Sequence, residues 1–362
     1  MQYVRSEFKN RSRIFVAEYD FSKFFDTIDH DHIRRVLNDQ FLLTEVERCT
    51  IEGFLRVAPS VGSPYNPNGD KVREKGVPQG TSISLFLANV AAWELDRGLE
   101  RIGVGFVRYA DDTLIWSTDY GRICEAVDLL YEQAEAIGVS INLSKSPGVR
   151  ILVPSEAESE MESTEYVDYL GYRLGLGVTF LKESAIKKIK RRIGQLIYWG
   201  LIFEPLNKTQ NSARFSGNVD RDYVTVIWRI RRYLYGDLSE KAVRRYQRRD
   251  APLRRFKGIM SAYPLIDDTE ELKQLDEWII DQLFLAVRKR STLLQLQDLA
   301  SSLPAPHCTS RSALKRLRVT ATNSNQEIDL TIPSVRRIAN IIRQAAAKHG
   351  PSVVGRADPY RD

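Results

Sequence analysis

The sequence has 362 residues and is 43% hydrophobic, so it can bury a substantial core in one large domain or in two to three smaller ones. It contains no run of about 18 apolar residues, and its N-terminus, Met1 to Arg13, mixes Arg, Lys and Glu. These features predict neither a membrane span nor a secretory leader, and they favour the cytoplasm. The three cysteines are isolated and predict neither a disulfide framework nor a zinc site.

The positive charge of the chain is concentrated in one segment. The formal net charge is +6, but residues 182–260 hold 20 Lys and Arg against 7 Asp and Glu, a balance of +13 that leaves −7 for the rest. A basic segment next to a more acidic remainder predicts that this segment meets a polyanionic partner.

Up to about Gly175, the sequence alternates between strand and helix patterns, which predicts an α+β domain. In chain order, the pattern predicts a strand at Arg13–Tyr19, a helix at His32–Val57, a loop or hairpin at Pro59–Gly76, a helix at Ser82–Leu99, two strands around a turn at Phe106–Trp116, a helix at Gly121–Ile137, an extended segment at Val139–Leu143 and two Gly-interrupted strands at Tyr166–Thr179.

From Ser184 onward, the pattern is almost entirely helical. Linkers are predicted at Asn207–Asn218 and Ser302–Ser312, which are rich in Ser, Asn, Thr and Pro. The predicted helices are Ser184–Tyr198, Tyr223–Tyr235, Ser239–Arg248, Thr269–Arg288, Leu293–Leu303 and Ser334–His349. The sequence therefore predicts a catalytic α+β half followed by a basic helical half.

Three carboxylates lie at predicted strand ends. Asp20 follows the apolar strand Ile14 to Tyr19, and the pair Asp111 and Asp112 occupies a turn between two apolar strand segments. Adjacent carboxylates repel each other, and two Mg²⁺ ions held by such groups can activate a 3′-hydroxyl and stabilise a leaving pyrophosphate. The alternative is an ordinary Asp-Asp turn with Asp20 capping a helix.

The motifs along the first 175 residues resemble those of bacterial reverse transcriptases. Tyr19-Asp-Phe-Ser-Lys-Phe-Phe-Asp26 resembles motif A, Gly76-Val-Pro-Gln-Gly-Thr-Ser82 resembles motif B, and Tyr109-Ala-Asp-Asp112 resembles motif C. Asn142-Leu-Ser-Lys145 is similar to motif D, and Tyr169-Leu-Gly-Tyr172 to the primer-grip motif E. All five occur in the order of that family, which is more specific than any single motif.

The resemblance implies a role for each matched residue. Asp20, Asp111 and Asp112 would hold two Mg²⁺ ions, for which Mn²⁺ could substitute. The backbone from Phe21 would lie near the triphosphate, and Phe25 would close the space that a ribose 2′-hydroxyl needs, which favours deoxynucleotides. Packing of these aromatics into the core is the alternative for Phe25.

Further residues would touch the nucleotide or its products. Gln79, Gly80 and Tyr109 are assigned to substrate binding, and Lys145 would protonate the pyrophosphate or neutralise its charge. The alternatives are a turn that leads into a helix at residues 78–82 and a solvated surface lysine at position 145. Arg108 is expected to pair with a local carboxylate.

The basic helices are expected to grip a template-primer duplex as a thumb, because phosphate neutralisation dominates such affinity. A merely solvated basic face is the alternative. The residues assigned to nucleic-acid binding are Lys187, Lys188, Lys190, Arg191, Arg192, Arg229, Arg231 and Arg232.

The fold implied is a reverse-transcriptase right-hand palm with truncated fingers at residues 1–180, a basic α-helical thumb at 181–260 and a C-terminal helical region at 261–362. Only 19 residues precede Asp20, which indicates a fragment, an internal start or fingers supplied by another subunit. Motif B continues Ser84-Leu-Phe-Leu-Ala-Asn89, which is more similar to the abortive-infection and unknown-group enzymes of antiphage defence than to group II intron or retron enzymes.

The function predicted is an RNA-directed DNA polymerase that adds dNTPs to a DNA or RNA primer on an RNA template, in bacterial antiphage defence. Untemplated or protein-primed synthesis stays open, as does an intron- or retron-type enzyme. A non-catalytic module that binds RNA is the alternative from another class. A structured non-coding RNA or a second protein subunit is a further expected partner.

Overall fold

A computed structural model describes residues 1–58, 72–155, 157–248, 256–297, 303–320, 326–350 and 354. The chain forms two compact units, one of Met1–Tyr169 with Leu174–Gly177 and one of Leu170–Arg173 with Val178–Asp362. The first unit mixes strands and helices and the second is mainly helical, so the predicted α+β class is confirmed. The domain boundary expected at residue 260 stays a prediction.

The first unit is built on a mixed sheet whose central strand is β1. Strand β1 pairs antiparallel with β3 on one side and with β5 on the other, β2 extends the sheet beyond β3, β6 runs parallel to β5, and β4 pairs with the end of β1. The strands are β1 Ile14–Ser22, β2 Gly105–Tyr109, β3 Asp112–Ser117, β4 Ser140–Ile141, β5 Gly148–Leu152 and β6 Ser163–Thr164.

Among the described residues, seven helices accompany this sheet, and apolar residues of α2 to α7 form the core with the inner sides of β1 and β3. The side chains of Ala17, Ile115, Leu87 and Leu130 are all fully buried there. The helices are α1 Gln2–Phe8, α2 Phe24–Thr27, α3 His30–Gln40, α4 Glu45–Leu55, α5 Ser82–Ala91, α6 Trp93–Ile102 and α7 Tyr120–Ile137.

Two helices predicted as continuous are each broken into two. The helix expected at residues 32–57 ends at Gln40. A separate helix, α4, begins at Glu45, where Thr44 and Glu47 form a reciprocal capping box. The helix expected at residues 82–99 breaks at Ala92, whose backbone leaves the helical region. Of the loop predicted at residues 59–76, residues 59–71 lie outside the described part of the chain.

Three short strands follow in the region predicted to hold Gly-interrupted strands. They are β7 Val167–Tyr169, β8 Tyr172–Leu174 and β9 Thr179–Leu181, and they form a separate sheet in that order. Gly171 has a φ of 81°, a value that favours glycine and allows the tight turn between β7 and β8.

After β9, the described part of the second unit is formed by helices and a small hairpin. Its elements are α8 Glu183–Ile197, α9 Phe203–Asn207, α10 Arg221–Tyr235, α11 Glu240–Gln247, α12 Glu270–Gln295, α13 Arg311–Leu314, β10 Arg318–Thr320, β11 Glu327–Asp329 and α14 Val335–His349. Helix α12 runs through the break that the sequence pattern predicted after Arg288. Among the described residues, no helix is both long enough and apolar enough to cross a membrane.

A π-helical turn at Tyr198–Ile202 links α8 to α9, and its Gly200 is packed against α10. A methyl group at Gly200 would lie only 2.1 Å from Cγ2 of Val226, so the two backbones approach as closely as glycine allows. The predicted linker at 207–218 contains a 3₁₀ turn at Ser212–Arg214, and Ser312 of the second predicted linker lies in α13.

A buried ionic cluster joins α10 and α12 in the second unit. Arg290 is 1% exposed, and its Nε donates to Asp220 Oδ2 at 2.7 Å while its Nη2 donates to Asp222 Oδ2 at 2.6 Å. His307 Nε2 lies 3.0 Å from Asp220 Oδ2, and Leu201 O accepts from Arg290 Nη1. Burial alone would raise the pKa of Asp220, but the hydrogen bond from His307 and the charge and hydrogen bond of Arg290 lower it.

Replacing Arg290 with Leu will leave the buried carboxylate of Asp220 without its arginine, while Asp222 keeps its pair with Arg214. We expect a loss of about 3–5 kcal/mol in the free energy of unfolding, because breaking a buried pair strands the remaining charge. Denaturant unfolding followed by tryptophan fluorescence measures this loss. Lys289→Leu, at the exposed neighbouring position on α12, is the control and should change stability by about 0.5 kcal/mol or less. Equal midpoints for the two variants would contradict the structural role of the cluster.

Candidate active site

The pairing of β1 with β3 brings the three predicted carboxylates to one end of the sheet. Asp20 lies directly opposite Asp112 in the antiparallel register, and Tyr109 lies opposite Asp112 across the β2–β3 hairpin. The N–H of Phe21 donates to Asp111 O at 3.4 Å. Opposed residues on antiparallel strands have Cα atoms about 4.5–5.5 Å apart, so Asp20 and the Asp111-Asp112 turn are neighbours.

The turn itself is held through its backbone carbonyls. Ala110 adopts a φ of 56°, and its carbonyl accepts a hydrogen bond from Arg108 Nη1 at 3.2 Å. The Arg108 side chain is 5% exposed and binds Asp96 of α6 through two hydrogen bonds, of 2.9 and 2.6 Å. The expectation that Arg108 pairs with a local carboxylate is confirmed, although the sequence did not identify Asp96.

Tyr169 holds the next residue of the turn. Its hydroxyl donates to Asp112 O at 3.2 Å, and the side chain is 2% exposed. Burial, followed by the nearby charge of Asp112, raises the pKa of Tyr169, so the hydroxyl keeps its proton and remains a donor. The sequence placed Tyr169 in a motif that grips the primer; in the structure its hydroxyl supports the carboxylate turn.

The segment after β4 surrounds the carboxylate of Asp20. Lys145 Nζ lies 3.3 Å from Asp20 Oδ2, and Asn142 Nδ2 lies 3.4 Å from Oδ1. The backbone N–H of Asp20 donates to Ser146 Oγ at 3.1 Å. The structure therefore brings Lys145 to the predicted site, with its side chain 64% exposed.

The donor set fits a hard divalent cation, because carboxylate oxygens are its preferred ligands. Asp20, Asp111 and Asp112 supply such oxygens at the end of the paired strands. In the described part of the chain, no three His, Cys, Asp or Glu side chains converge as a preformed metal cluster. Both carboxylate oxygens of Asp20 are instead engaged by Lys145 and Asn142.

The aromatic residues after Asp20 divide between the core and the site. Phe21 and Phe24 are 1% and 2% exposed and stack on each other with ring centroids 5.4 Å apart. Phe25 meets Phe24 edge to face at 5.8 Å but is only partly buried at the edge of the core. Inward packing thus accounts for Phe21 and Phe24, whereas Phe25 keeps an accessible part.

The start of motif B, Gly76 and Val77, forms hydrogen bonds with the backbone of the segment that contains Phe25. The N–H of Gly76 donates to Ile28 O at 2.7 Å, and the N–H of Val77 donates to Phe25 O at 2.6 Å. His30 Nε2 lies 2.7 Å from Gly76 O, and since a carbonyl only accepts, this nitrogen carries the proton. Three short hydrogen bonds therefore join residues 76–77 to residues 25–30.

Gly76 is required by the closeness of this contact. Its φ is 74°, and a Cβ there would lie 2.5 Å from the backbone of Asp26. Gly80 also has a positive φ, of 91°, but a Cβ there would meet nothing within 4 Å. Gln79, expected to touch the nucleotide, donates from Nε2 to Asp26 Oδ1 at 3.1 Å. Tyr109 is 58% exposed beside the turn.

The basic residues of α8 surround a buried stripe. Ala185, Ile189, Ile193 and Ile197 are buried, while Ile186 and Leu196 are half-buried. The cations of α8 differ in their surroundings: Lys187 pairs with Glu183, Lys190 lies over the ring of Trp278 at 5.6 Å, and Lys188, Arg191 and Arg192 are exposed.

The predicted cations of α10 also divide into two groups. Arg229 and Arg232 are exposed, next to Trp228, which is 56% exposed. Arg231 instead donates from Nη2 to the carbonyls of Asp329 and Thr331 at 3.2 and 3.1 Å. Its guanidinium is thus used inside the second unit.

Comparison with known proteins shows a family similarity in the first part of the chain. Residues 3–174 match the family model described as reverse transcriptase (RNA-dependent DNA polymerase). The match covers just under half of the chain. A search of curated proteins found no match.

Several solved structures are also similar to the chain. A Candida tropicalis telomerase with an RNA fragment is 11% identical over 85% of this chain and 50% of its own, with a TM-score of 0.38. A Candida albicans telomerase is 11% identical over 82% and 48%, with a TM-score of 0.35. A foamy viral protease-reverse transcriptase is 15% identical over 74% and 27%, with a TM-score of 0.33. The chain thus spans half or less of the length of each of these three, and the scores are too low to bear on function.

The two motif B glycines differ in a way that can be measured. Both have positive φ, so Ala costs about 1–2 kcal/mol at each, but only Gly76→Ala adds overpacking of about 1–3 kcal/mol. We expect Gly76→Ala to lower the thermal unfolding midpoint of the protein more than Gly80→Ala does. Equal midpoints would show that the contact between residues 76–77 and 25–28 is loose.

Proposed function

We propose that this chain is an RNA-directed DNA polymerase that adds dNTPs to a primer. The observation that carries the proposal is the register that sets Asp20 opposite Asp112, with Asp111 beside them, inside a matched reverse transcriptase domain. The RNA template, the DNA or RNA primer and the dNTPs are the partners that follow from this activity.

Asp20, Asp111 and Asp112 would hold the divalent cations, Mg²⁺ or Mn²⁺. Such ions, when bound, make the primer 3′-hydroxyl more acidic and stabilise the charge of the leaving pyrophosphate. Lys145 lies next to Asp20 and is well exposed, so its ammonium can neutralise the departing pyrophosphate or give it a proton. The backbone from Phe21 follows directly from Asp20 and is the segment expected near the triphosphate.

Phe25 would exclude ribonucleotides. The ring is partly buried against Phe24, the carbonyl of Phe25 accepts from the N–H of Val77, and three residues later the carbonyl of Ile28 accepts from the N–H of Gly76. A ring held this rigidly can reject a nucleotide that carries an extra 2′-hydroxyl, since the ring cannot retreat without breaking those contacts. Gln79 would act through Asp26, which it holds, and Gly80 and Tyr109 would complete the nucleotide site.

The exposed cations of α8 and α10 would bind the phosphates of the template-primer. Lys188, Arg191, Arg192, Arg229 and Arg232 are accessible for this role, and Lys187 and Lys190 can contribute from the edges of the same helix. Arg231 is left out because its guanidinium binds two carbonyls. Exposed Trp199 and Trp228 offer stacking surfaces for bases in the same unit.

A role in bacterial antiphage defence is the cellular function we propose, on the similarity of the motif B continuation at residues 84–89 to abortive-infection and unknown-group enzymes. A structured non-coding RNA or a second subunit is the partner expected there. The alternative is a module that holds RNA through the basic helices without catalysis.

The activity is tested by incorporation of labelled dNTPs and, separately, rNTPs with Mg²⁺ on an RNA template with a DNA primer. We expect dNTP incorporation to exceed rNTP incorporation by about tenfold or more, and to fall to background in Asp111→Ala/Asp112→Ala, because the cation ligands are gone. Mn²⁺ in place of Mg²⁺ tests the choice of metal.

Glu132→Ala/Glu135→Ala is the matched control, because it removes two exposed acidic charges from the same unit. Loss of activity in both double variants would indicate a general effect of charge instead of metal binding. Retained template binding without any incorporation by the wild type would favour the RNA-binding module.

The basic helices are tested by the salt dependence of binding to an RNA/DNA duplex. Arg191→Gln/Arg192→Gln should weaken binding, and it should reduce the slope of log K against log salt by about 2, because two phosphate contacts are lost. Arg101→Gln/Arg122→Gln removes two exposed charges from the first unit and should leave the slope unchanged. An unchanged slope in the α8 variant would exclude these two arginines from the interface.

A further inference from the structure

A cavity lies within the second unit, and its lining residues are distant in sequence from the carboxylates Asp20, Asp111 and Asp112. It has a volume of about 680 Å³ and is lined by α11, α12, the segment from α13 to β10, and the start of α14. Sites for small molecules typically measure about 300–1,000 Å³. The volume therefore suits a ligand of nucleotide size.

The lining of this cavity is dominated by basic side chains. Two carboxylates, Asp276 and Glu277, face six cations: Arg244, Lys315, Arg316, Arg318, Arg336 and Arg337. Only Ile280, Ile332 and Pro333 add an apolar surface. The composition of the wall favours a ligand with several negative charges.

Both carboxylates of the wall are already satisfied by protein groups. Asp276 accepts hydrogen bonds from the Ser334 hydroxyl and from the N–H of Val335, so it serves as a cap for α14. Glu277 binds Lys315 at 2.8 Å and Arg311 at 2.7 Å. Neither carboxylate is left as a strong repulsive charge for an incoming anion.

Four of the six cations are held in place by acidic partners. Arg337 pairs with Glu240, and Lys315 pairs with Glu277. Asp329 is shared by Arg244 at 3.0 Å and Arg318 at 3.9 Å, and Glu327 lies 3.4 Å from Arg318. These pairs reduce the net charge of the wall but fix the positions of its donors.

Arg316 and Arg336 are the two remaining cations of the cavity wall. Both are exposed, and within the described residues neither guanidinium has a hydrogen bond or ion pair to another side chain. Burial raises the pKa of Asp276, and the backbone N–H and the charge of Arg336 are among the smaller effects that lower it. Two guanidinium groups on one cavity wall, without a carboxylate of their own, are suited to bidentate binding of phosphate.

We propose that this cavity binds a small polyphosphate anion, a nucleoside triphosphate or inorganic pyrophosphate, through Arg316 and Arg336. The binding concerns a site in the second unit and does not depend on polymerase activity. Both ligands share the phosphate chain, and the triphosphate adds a base that could lie against Ile280 and Ile332.

The test is isothermal titration calorimetry of the full chain with pyrophosphate, ATP and adenosine. A chelator is present throughout, so that metal-dependent binding at the carboxylates does not contribute. We expect pyrophosphate and ATP to bind and adenosine not to bind. Arg316→Gln/Arg336→Gln should weaken binding by about tenfold or more, because two charge-assisted contacts are lost.

Arg101→Gln/Arg122→Gln is again the matched control and should bind both anions within about twofold of the wild type, since neither residue lines the cavity. Thermal unfolding without ligand checks that both variants are folded. If the cavity variant unfolds early, the single variants Arg316→Gln and Arg336→Gln are titrated in its place, and each should weaken binding.

The relative affinities for the three ligands decide between the remaining interpretations. Tighter binding of ATP than of pyrophosphate assigns the nucleotide, and the reverse order assigns the free anion. Equal binding by the wild type and the cavity variant, or binding of adenosine as tight as that of ATP, would overturn the proposal. Binding of an oligonucleotide alone, lost in the cavity variant, would also overturn it and assign the surface to nucleic acid.

Discussion

The antiparallel pairing of β1 with β3 is the constraint on which the candidate active site depends. It sets Asp20 opposite Asp112, and the pairing of β1 with β5 on its other side leaves the strand no freedom to shift. A slip of one residue would turn every side chain of β1 to the opposite face and would move Ala17 out of the core. The energy of the core therefore fixes the position of the carboxylates, although none of them belongs to it.

The sequence predicted those parts of this arrangement that have a local signal. Strand β1, the β2–β3 hairpin and most helices show the expected period of apolar residues, and the motifs singled out Asp20, Asp112 and Lys145, which the structure brings together. The breaks at residues 41–44 and at Ala92 were missed because the apolar period continues across them, and the capping box at Thr44 is a short signal. Strand β5 was missed because five residues after a proline carry too little pattern.

Partners distant in sequence could not be predicted in the same way. Arg108 was expected to pair with a carboxylate, but nothing local singles out Asp96, and the bond from Gln79 to Asp26 depends on how motif B lies against motif A. The accessibility of basic side chains could not be predicted from the sequence either. The balance of +13 in residues 182–260 includes Arg231, which binds carbonyls inside the unit, whereas Arg316 and Arg336 lie outside that segment. Folding, and not composition, decides which cations face a ligand.

The turn at residues 110–112, which carries Asp111 and Asp112, is held by hydrogen bonds to its backbone. Its three consecutive carbonyls each accept a hydrogen bond from a different part of the first unit: Ala110 O from Arg108, Asp111 O from the N–H of Phe21, and Asp112 O from Tyr169. Such support from surrounding groups is what keeps a functional site in a fixed geometry. These donors hold the backbone of the turn through its carbonyl groups and not through the carboxylates. Loss of activity on replacing them is therefore informative about chemistry, since the hairpin that carries them retains its own anchors.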